Sequence, residues 1–304
     1  MNRMAVFTAP KPFVDPHITT IQRNAIKSWQ ALGERVEIWL VGDEEGVETH
    51  ARDLGVGYLP QVERNSYGTP QINSIFDLVR QHSSAEYLCY VNADILLFPD
   101  MLSVLDKITP RIPSFLAIGR RWDANIRGAL EIFPGWGDEF VEKTIQSGRL
   151  HRAAGSDYFI FSRDQFIDIP AFAVGRSGWD NWMIYKARVE HWPVIDATDA
   201  VKVIHQNHDF SHFSDGKIHR YQPESAENLR LAGGRHTVFT IYDSNYQFVE
   251  GEINPVRLNR WKLVREISIF PAITLRWTWL ARIFYTLFNL KLILKQRENA
   301  KKGL

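Results

Sequence analysis

The residues best suited to chemistry follow the most apolar segment of the chain. Tyr87–Val91 is typical of a central parallel strand buried on both faces, and Asn92-Ala93-Asp94 comes directly after it. An amide and a carboxylate two residues apart at the end of a strand can hold a divalent cation together with the phosphates that the cation binds. The alternative is a turn in which Asn92 and Asp94 cap their own backbone.

Two histidines follow another apolar segment. Val201–Ile204 predicts a strand, so the imidazoles of His205 and His208 project from its end and from the loop after it. Ordinary surface histidines are one alternative. A zinc site that also includes His212 is another, although no cysteine lies nearby to complete it.

A sheet is needed to bring these residues together. Ala5–Thr8 and Val36–Val41 predict strands that are each followed by a helix, and this alternation predicts a doubly wound parallel sheet. In open α/β sheets, ligands bind beyond the carboxyl ends of the strands. Thr8, Asp43 and Asp94 are therefore expected to converge on one edge.

The order of these features resembles that of the nucleotide-sugar glycosyltransferases of the GT-A fold, over about residues 4–215. The shared features are a first strand that ends in a proline-containing loop, Asp43 at the end of the second strand, and Asn92-Ala93-Asp94 in place of the family's Asp-x-Asp motif. The resemblance implies a Rossmann-like α/β fold with a mostly parallel central sheet. It also implies transfer of a sugar from a nucleoside diphosphate to a hydroxyl acceptor, with Mn²⁺ or Mg²⁺ as cofactor.

The same resemblance assigns the donor side of the site. Asp94 matches the acid that binds the metal ion, whereas Asn92 departs from the acidic first position and is suited to hydrogen-bonding ribose or sugar hydroxyls. His208, or less favourably His205, would supply a further metal ligand. The residues expected against the nucleoside or the diphosphate are Thr8, Ala9, Pro10, Asp43, Arg64, Asn65 and Asn73. For Asp43 the alternative is a helix cap, and for Arg64 and Asn65 it is an exposed turn.

On the acceptor side, the resemblance points to Asp180, which lies in the first turn of a helix predicted from Trp179, after the glycine-rich turn 175–178. In an inverting transferase such a carboxylate removes the proton of the acceptor hydroxyl. The alternative is that Asp180 only complements the helix dipole. Asp157 could bind donor-sugar or acceptor hydroxyls, and the ring of Trp179 could stack on a sugar, with burial in the core as its alternative.

Composition excludes several classes of protein. The 304 residues are 45% hydrophobic and 23% charged, which is globular and neither disordered nor collagen-like. The single cysteine, Cys89, suits a reducing compartment, and the N-terminus lacks the apolar stretch of a secretory signal. We therefore expect a cytoplasmic protein, peripheral on the inner face of a membrane if the basic segment described next binds lipid.

The formal net charge of +1 is the sum of two unequal parts. Residues 257–304 carry +9 and the rest of the chain −8, and the basic segment is also rich in aromatic residues. Its uncharged runs are too short to span a bilayer. It is predicted to be a helical extension that either binds an anionic membrane surface or packs on the catalytic body or a partner.

We therefore predict a catalytic unit at 1–256, with a nucleotide-sugar half to about residue 120 and an acceptor half after it, followed by a tail at 257–304. The expected acceptor is a glycan or a lipid-linked glycan, as in polysaccharide biosynthesis, and no nucleic-acid partner is expected. Two alternatives are a carbohydrate-binding or scaffold protein on a degenerate transferase fold, which Asn92 motivates, and a sugar-nucleotide pyrophosphorylase. The latter would need a glycine-rich first loop, which Ala9–Phe13 lacks.

Overall fold

The computed structural model describes residues 3–133, 135–208 and 223–290. Thirteen strands occur in these ranges. In chain order they are β1 Met4–Thr8, β2 Val36–Val41, β3 Gly57–Leu59, β4 Tyr87–Val91, β5 Ile95–Leu96, β6 Leu116–Ile118, β7 Trp122–Ala124, β8 Arg149–Leu150, β9 Tyr158–Ser162, β10 Val194–Asp196, β11 Ile204–Gln206, β12 Tyr246–Val249 and β13 Glu252–Pro255. The helices are α1 Pro16–Gln30, α2 Val47–Leu54, α3 Ile72–His82, α4 Asp100–Ile108, α5 Gly137–Ser147, α6 Trp179–Val189, α7 Pro223–Leu231, α8 Arg260–Ile273 and α9 Thr278–Phe288.

Nine strands form the central sheet, in the order β13-β12-β10-β6-β9-β4-β1-β2-β3. Five of its eight pairings are parallel, and β9 is antiparallel to both of its neighbours, β4 and β6. The expected α/β fold with a mostly parallel central sheet is confirmed. Helices cover both faces, which explains why β1 and most of β4 are buried on both sides and read as continuous apolar runs.

A smaller sheet of four short strands, β5-β11-β7-β8, lies beyond the end of β4. In its register His205 of β11 pairs with Ile95 of β5 on one side and with Asp123 of β7 on the other. Because Asp94 immediately precedes Ile95, this small sheet sets His205 beside Asp94, although the two residues are far apart in sequence.

Several elements differ from the sequence predictions in position. The strand expected at Val201–Ile204 runs instead over Ile204–Gln206, so His205 lies inside a strand and not after it. The elements β10, α5 and the β12–β13 hairpin were not anticipated. Their strands have three or four residues, too few for periodicity to mark, and α5 buries only Gly137.

The C-terminal extension is helical where it is described, as α8 and α9, which contact one another. Within the described ranges, no helix is both long enough and apolar enough to cross a membrane. Residues 291–304 of the predicted tail, and His212 of the zinc alternative, lie outside the described residues. The division at residue 256 stays a prediction.

Candidate active site

A cleft of about 770 Å³ opens at the carboxyl ends of β1 and β4. Ten of the residues singled out from the sequence line it: Ala9, Pro10, Arg64, Asn92, Asp94, Asp157, Trp179, Asp180, His205 and His208. Four others, Thr8, Asp43, Asn65 and Asn73, are not among its lining residues. The convergence of strand ends on one edge therefore brings most of the candidates together.

Asp94, His205 and His208 form a compact cluster whose ligand atoms all lie within 4.8 Å of one another. The Oδ2 atom of Asp94 is 3.0 Å from Nε2 of His208 and 3.6 Å from Nε2 of His205. The other oxygen, Oδ1, is buried and has no hydrogen-bond partner among the described residues. A buried carboxylate oxygen normally has a partner, so the unsatisfied Oδ1 and the two nearby imidazoles fit a bound cation.

The charged groups of this cluster shift one another's pKa values, which favours an ionised carboxylate beside a protonated imidazole. Burial opposes ionisation of Asp94, yet hydrogen bonds from His205 and His208 hold the pKa of its carboxyl group well below the usual range. Burial also disfavours the charged form of His205 and so lowers its pKa. The hydrogen bonds to Asp123 and Asp94 together have the larger effect and raise the pKa of His205 to about 9. Asp123 lies 3.4 Å from Nδ1 of His205 and thereby fixes the orientation of the ring.

Asn92 faces a second acid across the cleft. Its amide nitrogen donates to Oδ1 of Asp157 at 2.8 Å, and the same oxygen accepts from the Arg121 guanidinium at 2.6 Å. Arg121 also donates to Asp123 at 2.9 Å. In the structure Asn92 is therefore a donor that positions Asp157, and Arg121 places a cation in the lining of the cleft.

Asp180 is the second residue of α6, which begins at Trp179 directly after Gly178, whose φ of 111° is left-handed and favours glycine. Its Oδ1 accepts from the Gly178 backbone N–H at 3.3 Å. Burial, reinforced by the nearby charge of Asp157, raises the pKa of Asp180 to about 6. Gly155 packs against this carboxylate, because a Cβ built on Gly155 would overlap Asp180 Oδ2. Apart from the neighbouring residues in the chain, only the Asp180 side chain lies within 4 Å of that Cβ position.

At the donor end, the two acids after β2 have different surroundings. Asp43 is ion-paired with Arg64 and has 60% of its side chain exposed. Glu44 lines the cleft, accepts from Arg64 at 2.9 Å, and has 16% of its side chain exposed. Its Oε2 is buried without a hydrogen-bond partner in the described part of the chain. Glu44 is thus better placed than Asp43 to meet a ligand, and sequence reasoning missed it.

The remaining donor-side candidates do not line the cleft and are hydrogen-bonded or buried within the fold. Asn65 shapes its own turn by accepting from the backbone of Tyr67 and Thr69, and it donates to Glu224 at 2.8 Å. Glu224 also accepts from Arg176, so it joins the loop after β3 to the loop before α6. Thr8 is fully buried, and Asn73 is partly buried with a buried side-chain oxygen.

The aromatic candidate lies between the cleft and the core. The Trp179 ring is 6% exposed and meets Tyr90 edge-on, with ring centroids 5.0 Å apart. Both residues line the cleft, so only the outer edge of Trp179 is open to a ligand. Trp182, its neighbour on α6, packs in the core against Phe172.

Beyond Glu44 and Gly155, sequence reasoning missed three cations of the cleft, Lys11, Arg121 and Arg176. Burial lowers the pKa of Lys11, although the charge of Asp94 opposes this. The proline-rich loop gave a signal for Lys11, since it was already expected to face the nucleotide. Arg121 precedes a three-residue strand and gave none.

No protein-family model matches this sequence. No curated protein matches it either. Among solved structures, the fold is similar to the mannosyltransferase PcManGT of Pyrobaculum calidifontis in complex with GDP-Man and Mn²⁺, at 14% identity and a TM-score of 0.47 over 76% of this chain and 62% of that one. It is also similar to glucosyl-3-phosphoglycerate synthase of Mycobacterium tuberculosis in complex with Mg²⁺ and UDP, at 15% identity and a TM-score of 0.46 over 85% and 88% of the two chains.

A third similar structure is TarS of S. aureus in complex with UDP-GlcNAc, at 15% identity and a TM-score of 0.46 over 76% of this chain. The chain spans less than two thirds of the P. calidifontis and S. aureus chains. At these identities and TM-scores we take neither substrate nor reaction from the matches.

Proposed function

We propose that this protein is a glycosyltransferase that moves a sugar from a nucleoside-diphosphate sugar to a hydroxyl acceptor. The observation that carries the proposal is the Asp94, His205 and His208 cluster, with its unsatisfied buried oxygen, in one cleft with Asp180. A cation site beside Lys11 and Arg121 suits a diphosphate, because the cations neutralise the charge that develops on the leaving group. A carboxylate with a raised pKa suits proton removal from a hydroxyl.

The residues that would hold the metal are Asp94, His208 and His205. When bound, the ion would supply Lewis-acid stabilisation of the leaving diphosphate. Two imidazoles and one carboxylate suit Mn²⁺ better than Mg²⁺, which prefers oxygen ligands throughout. His205 must release its ring proton before its nitrogen can bind a cation. Asp123, on the other ring nitrogen, keeps the imidazole aimed at the site.

Asp180 is the proposed base for an inverting displacement. Its carboxylate accepts the proton of the acceptor hydroxyl as the oxygen attacks the anomeric carbon, and the diphosphate leaves on the opposite face. A pKa of about 6 leaves the group mostly ionised at neutral pH while keeping it more basic than an exposed aspartate. Asp157 is held by Asn92 and Arg121, so it is positioned to bind sugar hydroxyls.

We further propose that the acceptor is a glycan, including one carried on lipid, and that the reaction takes place on the cytoplasmic side of a membrane. The cleft would bind the glycan, whether it is free or lipid-linked. Contact with lipid would come from a different surface, formed by residues 257–290.

The proposed function is tested by ligand-dependent thermal stabilisation. UDP, GDP, CDP and dTDP are each added with and without Mn²⁺, and a nucleotide at about 100 times its Kd is expected to stabilise the native state by about 2.7 kcal/mol. Asp94→Ala should remove the Mn²⁺-dependent part of the shift, whereas Asp53→Ala on the exposed surface of α2 should preserve it. Absence of stabilisation by all four nucleotides would contradict the proposal and favour the non-catalytic scaffold.

A further inference from the structure

Most of the large apolar side chains that are exposed in the described part of the chain lie on or beside the two C-terminal helices, which do not line the cleft. Of the 18 large apolar side chains exposed in the described part of the chain, 12 lie between Leu258 and Leu290. Exposed apolar side chains scattered singly are ordinary, whereas a concentrated patch marks a binding surface. The active site uses none of these residues.

Helix α8 is oriented with its charges inward. Lys262 is buried and lies 2.9 Å from Glu266, which also accepts from the buried Arg188 of α6 at 2.7 Å. Arg265 pairs with both oxygens of Asp243, at 2.6 and 3.0 Å. These ion pairs, together with the apolar side chains that α8 buries in its C-terminal half, attach α8 to the rest of the protein.

The opposite face of α8 is consequently apolar and open to solvent. Leu263, Ile267 and Phe270, spaced four and three residues apart, are 50%, 49% and 47% exposed. An ordinary surface helix keeps polar side chains outward, whereas α8 exposes this apolar stripe and also buries Ile269 and Ile273. The exposed apolar stripe lies on the side of α8 away from the five charged groups just named, and it is open to a partner.

Helix α9 presents a second stripe of the same kind. Trp279, Ile283 and Leu287 follow one another at intervals of four residues and are 61%, 47% and 66% exposed, whereas Ala281 on the other side is buried. We call the exposed side chains Leu263, Ile267, Phe270, Trp279, Ile283 and Leu287 the α8–α9 face.

The charges around the α8–α9 face select its partner. Residues 257–290 contain six lysines and arginines and one acid, Glu266, which is committed to the ion pairs just described. Arg257, Arg260, Arg276 and Arg282 are all exposed. A second copy of this chain would place like charges opposite each other in a two-fold interface. An anionic lipid headgroup complements both the arginines and the adjacent apolar side chains.

We propose that the α8–α9 face is a docking surface for an anionic lipid bilayer, with its apolar side chains in the interfacial region of one leaflet and the arginines among the headgroups. Trp277 and Trp279, whose rings stack 6.2 Å apart, suit that region because indole combines an apolar ring with a polar N–H. Residues 291–304 add four further net positive charges directly after α9. The proposal concerns attachment and does not depend on glycosyl transfer.

The test is flotation of the full chain with vesicles, in the absence of nucleotide. Vesicles of phosphatidylcholine alone are compared with vesicles that contain about one third phosphatidylglycerol, at low and at physiological salt. We expect binding to the anionic vesicles that weakens with salt. The double variant Ile267→Gln/Ile283→Gln should reduce the partition coefficient at least about tenfold.

Ile167→Gln is the matched control, because Ile167 is also an exposed isoleucine, at 56%, outside the C-terminal helices. Circular dichroism shows whether each variant is folded. Three results would overturn the proposal: no binding of the wild-type chain to anionic vesicles, an equal loss in Ile167→Gln, or a solution dimer that the double variant dissociates. In each case the transferase activity is measured separately with a water-soluble acceptor, so failure of the membrane proposal leaves the catalytic proposal standing.

Discussion

The packing of Gly155 against Asp180 allows the proposed base to be displaced without touching it. In Gly155→Ala the new Cβ would overlap Asp180 Oδ2, and the Asp180 carboxylate carbon would lie only 3.5 Å away. The carboxylate must move by roughly 1 Å to regain van der Waals contact. A displacement of that size in a catalytic group costs about 100-fold in rate, equivalent to about 2.7 kcal/mol of barrier.

The fold should tolerate this change. Gly155 does not have a left-handed conformation, and the overlapping atom is the end of a side chain. Replacing glycine by alanine at such a position changes the free energy of unfolding by less than about 1 kcal/mol, usually in the stabilising direction. Gly128→Ala is the matched control, because a Cβ at Gly128 meets no heavy atom within 4 Å.

The assay is release of nucleoside diphosphate from the donor identified by the stability screen, with thermal unfolding measured in parallel. Gly155→Ala should lose about 100-fold in kcat. In an Asp180→Asn background the same glycine substitution should cost less than about threefold, since groups that act together are not additive. Full activity in Gly155→Ala, or an equal loss in both backgrounds, would refute Asp180 as the base.

Two further predictions concern pH and the nucleotide. Because burial raises the pKa of Asp180 to about 6, the base is protonated below that pH, and kcat/KM should fall about tenfold per pH unit below it in the free enzyme; a profile that stays flat to pH 4 would contradict the assignment. Glu44→Gln should weaken nucleotide binding, measured by calorimetry, by about tenfold or more, because a hydrogen bond to a charged group is worth roughly 1.5–3 kcal/mol. Asp43→Asn, at the exposed end of the same loop, should have the smaller effect on nucleotide binding. The reverse order would indicate that Asp43, and not Glu44, contacts the nucleoside.

Much of the cleft could be predicted because parallel sheets obey simple geometric rules. An apolar run that ends in Asn92-Ala93-Asp94 marks a central strand, and the carboxyl ends of such strands meet at one edge. The position of His205 could not be derived in the same way. It depends on the register of β5, β11 and β7, which have only two or three residues each. Arg121 was missed for the same reason, since it lies at the start of this small sheet.

The C-terminal helices show a different limit of sequence reasoning. Composition revealed their basic and apolar character, but apolar side chains lie on both sides of α8, so periodicity does not show which side is buried. Which face meets the body is decided by Arg188 and Asp243, whose buried charges require partners and obtain them from Glu266 and Arg265. The sequence alternatives of lipid binding and packing on the body are therefore compatible, because opposite faces of one helix can do both.

Asn92 stands where the Asp-x-Asp motif has an acid, and the structure gives a physical reason for an amide at that position. Its side-chain nitrogen donates to Asp157, which an aspartate could not do, and a carboxylate there would face Asp157 at hydrogen-bonding distance. Two carboxylates so close would compete for one proton. His205 and His208 would supply nitrogen ligands beside Asp94, so the amide is consistent with a cation site and with Asp157 held by Arg121.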